Sequence, residues 1–221
     1  MSVKIVSYTK LADDNNTMDP SDFIAYVARV SNPSNQHNTE TSDRLLKYLV
    51  KHKHWSPFEM AHVTMEINTT RDIARQILRH RSFSFQEFSQ RYADPTTDLG
   101  FTTREARLQD TKNRQNSIDV NDKDLSFQWS ERQQYIIDAA NIAYKWAINN
   151  GIAKEQARSV LPEGLTVSRL YMAGSVRSWI HYCQLRCANG TQKEHREIAQ
   201  DCWKELVRIY PSLDNLIDFN I

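Results

Sequence analysis

Apolar and polar positions alternate with period two from Ala61 to Asn68. Ala61, Val63, Met65 and Ile67 fall on one side, against His62, Thr64, Glu66 and Asn68, which predicts a strand with one buried face. The β-branched opening Val3-Lys4-Ile5-Val6-Ser7-Tyr8-Thr9 predicts a second strand. Helical spacing dominates elsewhere. Asp19-Pro20 supplies an N-cap and a first-turn proline for a helix through about Ser31, and a second helix covers Ser42 to His52 with Leu45, Leu46, Tyr48 and Leu49 on its apolar side. A third, from Arg71 to His80, turns Ile73, Ala74, Ile77 and Leu78 inward. Beyond it, Arg81 to Tyr92 has no helical stripe and reads as a functional loop, and 94–124 is polar enough to be a mobile insertion or exposed extension. A long helix from Gln128 to Asn150 stops at Gly151, and a shorter one from Ala153 is closed by Leu161-Pro162. Two more, Ser175 to Cys187 and Gln192 to Tyr210, are separated by Asn189-Gly190. The pattern predicts one α+β domain over 1–221, rich in helix, with a small antiparallel or mixed sheet.

With 221 residues, 40% of them hydrophobic, the chain can bury one sizeable core. Charged residues make up 25%, yet the net charge is +1, so anion affinity must come from local clusters. Bulk attraction to nucleic acid or membrane is not indicated. No apolar run approaches bilayer length, and the N-terminus lacks a signal-like core, which together predict a soluble cytoplasmic protein. Cys183, Cys187 and Cys202 lack zinc spacing and are expected to be reduced, buried thiols. His52, His54 and His62 lack a carboxylate or cysteine complement, so no metal site is expected. Five scattered glycines form neither a dinucleotide fingerprint nor a phosphate loop, so side chains would have to hold a nucleotide's phosphates.

The densest candidate for that task is Arg75, Arg79, His80, Arg81 and Arg91, interleaved with Ser82, Ser84, Gln86, Glu87 and Ser89. Guanidinium forks bind phosphates bidentately, while hydroxyls and a carboxylate read sugar and base edges. If the third helix continued through Arg81, consecutive side chains would diverge by about 100° and Arg79 and Arg81 would point to nearly opposite sides. Two ligands, or a ligand and a neighbouring subunit, would then use them. Simple complementation of the helix dipole is the bland alternative.

Arg79-His80-Arg81, seven intervening positions and Ser89 match the RHRxxxxxxxS signature of flavin-dependent thymidylate synthases, with Glu87, Arg91 and Tyr92 also in place. Arg29-Val30-Ser31, His54 to Glu59, Arg75-Gln76, Arg158 to Pro162 and Arg177 to Arg186 resemble further segments of that family in the same order. The resemblance implies an α+β homotetramer with active sites shared between subunits, binding FAD and dUMP. Its reaction would be the reductive methylation of dUMP to dTMP, with methylenetetrahydrofolate as one-carbon donor, NADPH as reductant and no enzymic covalent nucleophile. It also implies FAD contacts at Ser31, Ser56, Arg79, His80, Arg81, Glu87, Ser175, Arg177 and His181, with His54 as a wall of the flavin site. The dUMP contacts implied are Gln76, Arg79, Glu87, Phe88, Ser89, Gln90, Arg91, Arg158 and Arg186. Arg186 is the expected catalytic group, favouring the N3-ionised uracil ring so that C5 becomes nucleophilic; an adjacent guanidinium stabilises such an anion.

Gln86 and Ser175 stand where the family commonly has asparagine, and aligning the stretch from Arg158 to Arg177 needs about one inserted residue near Gly164. Two rival readings follow: an RNA-binding module stacking bases on Phe83, Phe85 and Tyr92, and a degenerate member that binds nucleotide or flavin without turnover. Near-neutral charge argues against the first, and retention of Arg79, Arg81, Glu87, Ser89, Arg91, Arg158 and Arg186 against the second.

Overall fold

The computed structural model describes residues 1–12 and 18–214; the remainder of the expected 1–221 domain lies outside the described residues. Among the described residues there are six strands: β1 (Ser2–Tyr8), β2 (His62–Thr70), β3 (Ser84–Glu87), β4 (Arg107–Gln109), β5 (Ser117–Asp119) and β6 (Val167–Ser175). Four form an antiparallel sheet in the order β1-β2-β6-β3, which decides between the antiparallel and mixed alternatives, and β4 and β5 pair separately as a hairpin. The helices are α1 (Pro20–Ala28), α2 (Ser42–Lys51), α3 (Arg71–Ile77), α4 (Pro95–Asp98), α5 (Lys123–Asn149), α6 (Lys154–Ala157), α7 (Val176–Arg186) and α8 (Lys193–Ile209).

The alternation in β2 does what it predicted: Ala61, Val63, Met65 and Ile67 are all fully or almost fully buried. They meet Leu170 and Met172 of β6, Ile73, Ala74 and Ile77 of α3, Trp179 and Ile180 of α7, and Ile198, Ala199, Cys202 and Leu206 of α8 in one cluster. Full burial of such aliphatic side chains contributes about 1.5–3 kcal/mol each, so this cluster carries the fold. Trp179 Nε1 donates to Val63 O at 3.0 Å, satisfying the only polar atom it brings into the core.

Several boundaries differ from expectation. Arg29 ends α1 early because its guanidinium turns back onto Asn38 O and Thr41 Oγ1, and it is itself buried. On α2, Leu46 and Leu49 face the core but Tyr48 is exposed. The third helix stops at Ile77 and does not reach His80; Arg81 to Tyr92 contains strand β3. Strand β6 was not anticipated, since Ser168 and Gly174 occupy inward positions that a hydrophobic alternation would fill. Helix α5 begins earlier than expected, at Lys123, capped by Asp122, whose carboxylate accepts from Asp124 N and Leu125 N. Of its apolar residues Tyr144 is buried, whereas Trp129, Tyr135, Ile136 and Trp146 face outward. Among the described residues no helix is long and apolar enough to cross a membrane.

Candidate active site

Three side-chain groups lie around the β2-β6-β3 side of the sheet and the helices packed on it. In the first, Glu87 at the end of β3 accepts from Ser168 Oγ of β6 at 2.8 Å and faces Arg75 Nη1 at 3.2 Å and Arg71 Nη1 at 3.7 Å. Arg75 also reaches Glu163 at 3.3 Å. Here a carboxylate organises two guanidinium groups, and burial lowers the pKa of Arg71, with the Glu87 charge opposing that shift.

The second group lies where the segment after α3 meets α7 and α8. Arg186 Nε donates to His80 Nε2 at 2.9 Å, so that nitrogen is an acceptor and the proton of neutral His80 sits on Nδ1. Burial, reinforced by Arg186 and Arg79, lowers the His80 pKa to about 4. The ring packs edge-on against Tyr182, with centroids 4.9 Å apart. Arg186 therefore has a neutral imidazole beside it, and no carboxylate pairs with it among the described residues. Behind these residues sits His195, fully buried: its Nδ1 lies 3.2 Å from Gln76 Oε1 and its Nε2 lies 3.1 Å from Tyr182 Oη. Burial, Arg186 and His80 push its pKa down to about 3. Gln76 Nε2 in turn donates to Gln192 Oε1 at 2.8 Å, and Gln192 Nε2 donates to Glu194 Oε2 at 2.9 Å. The other oxygen of Glu194 takes the Arg107 guanidinium of β4. Burial raises the Glu194 pKa, but hydrogen bonds from its own backbone, Gln192 and Arg107 outweigh it and leave the carboxyl below its ordinary value.

The third group surrounds the start of α7. Ser175 caps this helix by accepting from Ser178 N at 3.2 Å, and its hydroxyl donates to Glu59 Oε2. Arg177 Nη1 donates to Glu59 Oε1 at 2.7 Å, and the His181 ring stands edge-on to Trp55 at 4.9 Å. The Ser175 hydrogen bond is the main reason the Glu59 pKa is lowered, with Arg177 contributing further; burial and Arg177 lower that of His181.

The structure thus brings together Gln76, His80 and Arg186, and separately Ser175, Arg177 and His181, with Ser56 exposed at the start of the turn that carries Glu59. Arg79 and Arg81 are exposed, and neither has an ion-pair partner among the described residues. Arg91 and Arg158 belong to different surroundings: Arg91 pairs with Glu155 of α6 at 3.4 Å, and Arg158 Nε donates to Glu155 O. Ser89 Oγ accepts from Arg91 N, while Phe88 N donates to Arg169 O. Gln90 is buried with Nε2 unpartnered. Ser31 is exposed, and His54 is exposed beside the Tyr48 and His52 rings.

Glu59, Tyr182, Gln192, Glu194 and His195 were not among the sequence candidates. Amphipathic spacing puts His195 in line with Ile198, Cys202 and Leu206, so the pattern marks a core position and conceals its polar partners. All three cysteines are buried, as expected. The sizeable cavity of about 770 Å³ lies apart from Arg79 and Arg186, between the β4–β5 hairpin, Trp129 of α5 and the start of α8.

Residues 13–212 match the model of the family described as thymidylate synthase complementing protein. A probable flavin-dependent thymidylate synthase of Paramecium bursaria Chlorella virus 1 is 46% identical over 99% of this chain and 100% of its own length. A flavin-dependent thymidylate synthase of Synechocystis is 48% identical over 96% of this chain and 97% of its own. The same fold occurs in the UMP/dUMP methylase PolB of Streptomyces cacaoi, solved with 5-Br dUMP: TM-score 0.79 at 23% identity, over 96% of this chain and 93% of that one.

Proposed function

Because this chain belongs to the flavin-dependent thymidylate synthase family, we propose that it methylates dUMP reductively to dTMP, taking the one-carbon unit from methylenetetrahydrofolate and electrons from NADPH through bound FAD. The observation that carries this reading is Arg186, a guanidinium beside the neutral His80 with no carboxylate among the described residues to quench it. Such a charge is free to stabilise a developing anion, and the N3-ionised uracil ring is that anion.

Arg79 and Arg81, exposed and without carboxylate partners among the described residues, have the donor chemistry for FAD phosphates, with Ser56, Arg177 and His181 completing that side. Ser175 would aim Arg177 by capping α7, since its own hydroxyl is committed. When bound, the flavin supplies hydride transfer. Gln76, Glu87 and Arg186 would orient dUMP, and Phe88, Ser89, Gln90, Arg91 and Arg158 would grip it, with Ser31 and His54 at the margin. Arg91 and Arg158 are held by α6, away from the α7 group, which favours sites completed across copies of the chain in a homotetramer. The outward aromatic residues of α5 supply apolar surface for such assembly.

No covalent nucleophile is required. Burial raises the pKa of Cys183 and Cys202 well above the ordinary thiol value and that of Cys187 to about 11, and the Ser89 hydroxyl accepts from the Arg91 amide, with no histidine bonded to it among the described residues. The test is anaerobic: the purified protein is loaded with FAD, reduced with NADPH, and mixed with dUMP and methylenetetrahydrofolate. Recovery of the oxidised flavin spectrum with stoichiometric dTMP is the expected result; absence of dTMP with flavin bound would defeat the assignment.

A further inference from the structure

Five side chains run in an unbroken hydrogen-bonded line from the hairpin side of the molecule to the back of Arg186: Glu194, Gln192, Gln76, His195 and Tyr182. Four of them, two amides, an imidazole and a phenol, can each donate or accept. The ionised carboxylate of Glu194 can only accept. It is buried and holds Arg107 on one oxygen, so its other oxygen demands a donor. That demand sets every later group in turn. Gln192 must present Nε2 to Glu194 and therefore Oε1 to Gln76; Gln76 must present Nε2 to Gln192 and therefore Oε1 to His195. His195 must then carry its proton on Nδ1, which leaves Nε2 to accept from Tyr182.

We propose that Glu194 acts as a polarity-setting positioning residue, fixing through this relay which end of the Gln76 amide stands at each position in the substrate site. The His195 tautomer is the relay's internal record. The link to substrate rests on the reading of Gln76 as a dUMP contact. After its two relay bonds Gln76 keeps one N–H and one lone pair, each at a defined place, so a ligand oxygen or N–H meets a matched partner. Replacing Glu194 by the isosteric glutamine removes the sole acceptor-only group. The whole line can then invert, with Gln76 Oε1 exchanging places with Nε2 and the His195 proton moving to Nε2, and no side chain need leave its seat.

Histidine-selective ¹⁵N NMR reads the tautomer directly, with the His195 signals assigned from their loss in His195→Asn. In the wild-type protein His195 should show a protonated Nδ1 and an unprotonated Nε2, and in Glu194→Gln it should show the Nε2–H form in substantial proportion. The same variant should raise the KM for dUMP about tenfold, equivalent to about 1.4 kcal/mol, with kcat within about twofold. A wild-type Nε2–H tautomer overturns the proposal, as does a Glu194→Gln protein with wild-type tautomer and KM. The wild-type measurement needs no folded Glu194 variant. If the wild-type protein shows no dUMP turnover, the functional reading fails while the tautomer still decides the relay.

Discussion

Gly174 lies on β6 opposite Val63, one residue before the cap of α7, and a Cβ placed there would stand 2.5 Å from Phe83 Cδ1 and 2.7 Å from Cε1. Ordinary carbon contacts begin near 3.5 Å, so in Gly174→Ala the phenyl ring must retreat by about 1 Å. It has little room, because Trp179 stands edge-on at 4.9 Å and Tyr182 at 6.0 Å, both themselves buried. Overpacking of this kind costs about 1–3 kcal/mol. Taking about 2 kcal/mol and about 2–4 °C per kcal/mol for a chain of this size, Tm should fall by about 4–8 °C at fixed protein concentration. The strain should also reach the site. Phe83 N donates to His80 O, so a displacement of Phe83 is passed to the turn that carries His80 and Arg81, and FAD affinity should weaken along with Tm. Differential scanning calorimetry and FAD titration read both effects, and Phe83→Leu in the same chain should recover part of each. A Gly174→Ala protein with Tm within about 1 °C of wild type and unchanged FAD affinity would show that the strand and turn absorb the methyl freely, and the packing argument would be wrong.

Arg186→Ala should retain FAD, measured by its absorbance, yet lose dTMP formation even at saturating dUMP; turnover at the wild-type rate would remove Arg186 from the chemistry. Arg107→Ala leaves the buried Glu194 carboxylate without its cation and should cost about 2–4 kcal/mol in urea unfolding, below the full penalty for a deeply buried pair because water can reach the gap. His80 and His195, with pKa values lowered to about 4 and about 3, stay neutral in the folded protein while the unfolded chain takes up protons below about pH 6.5. Both should therefore destabilise the fold as pH falls below about 6.5, His80 down to about pH 4 and His195 down to about pH 3, and contribute nothing above that window; His195→Asn should flatten the slope, and a slope equal to wild type would contradict the assignment. Ile142→Glu and Trp146→Glu, on outward positions of α5, should shift the assembly toward smaller species in analytical ultracentrifugation, with an unchanged mass arguing against α5 as a contact surface.

Local chemistry determined a good share of this protein. The period-two pattern of Ala61 to Ile67, the Asp19-Pro20 start and the Asn189-Gly190 break each act within a few residues, so one reading of the chain locates β2, the start of α1 and the α7–α8 corner. The clustering of Arg79, His80 and Arg81 was likewise visible as a linear run. What the chain could not declare was β6, because inward Ser168 and Gly174 are satisfied by long-range partners, Glu87 for the hydroxyl and the Phe83 ring for the missing side chain. Nor could it show that α3 stops at Ile77, since the chain must turn there to bring Ser84 to Glu87 into pairing with β6. Tertiary structure also decided the site's electrostatics. Arg186 meets a histidine 106 positions earlier, Gln76 meets another 119 positions later, and only that convergence makes both imidazoles neutral and ties them to Glu194. Propensity acts between neighbours in sequence, whereas burial and hydrogen-bond polarity act between neighbours in space.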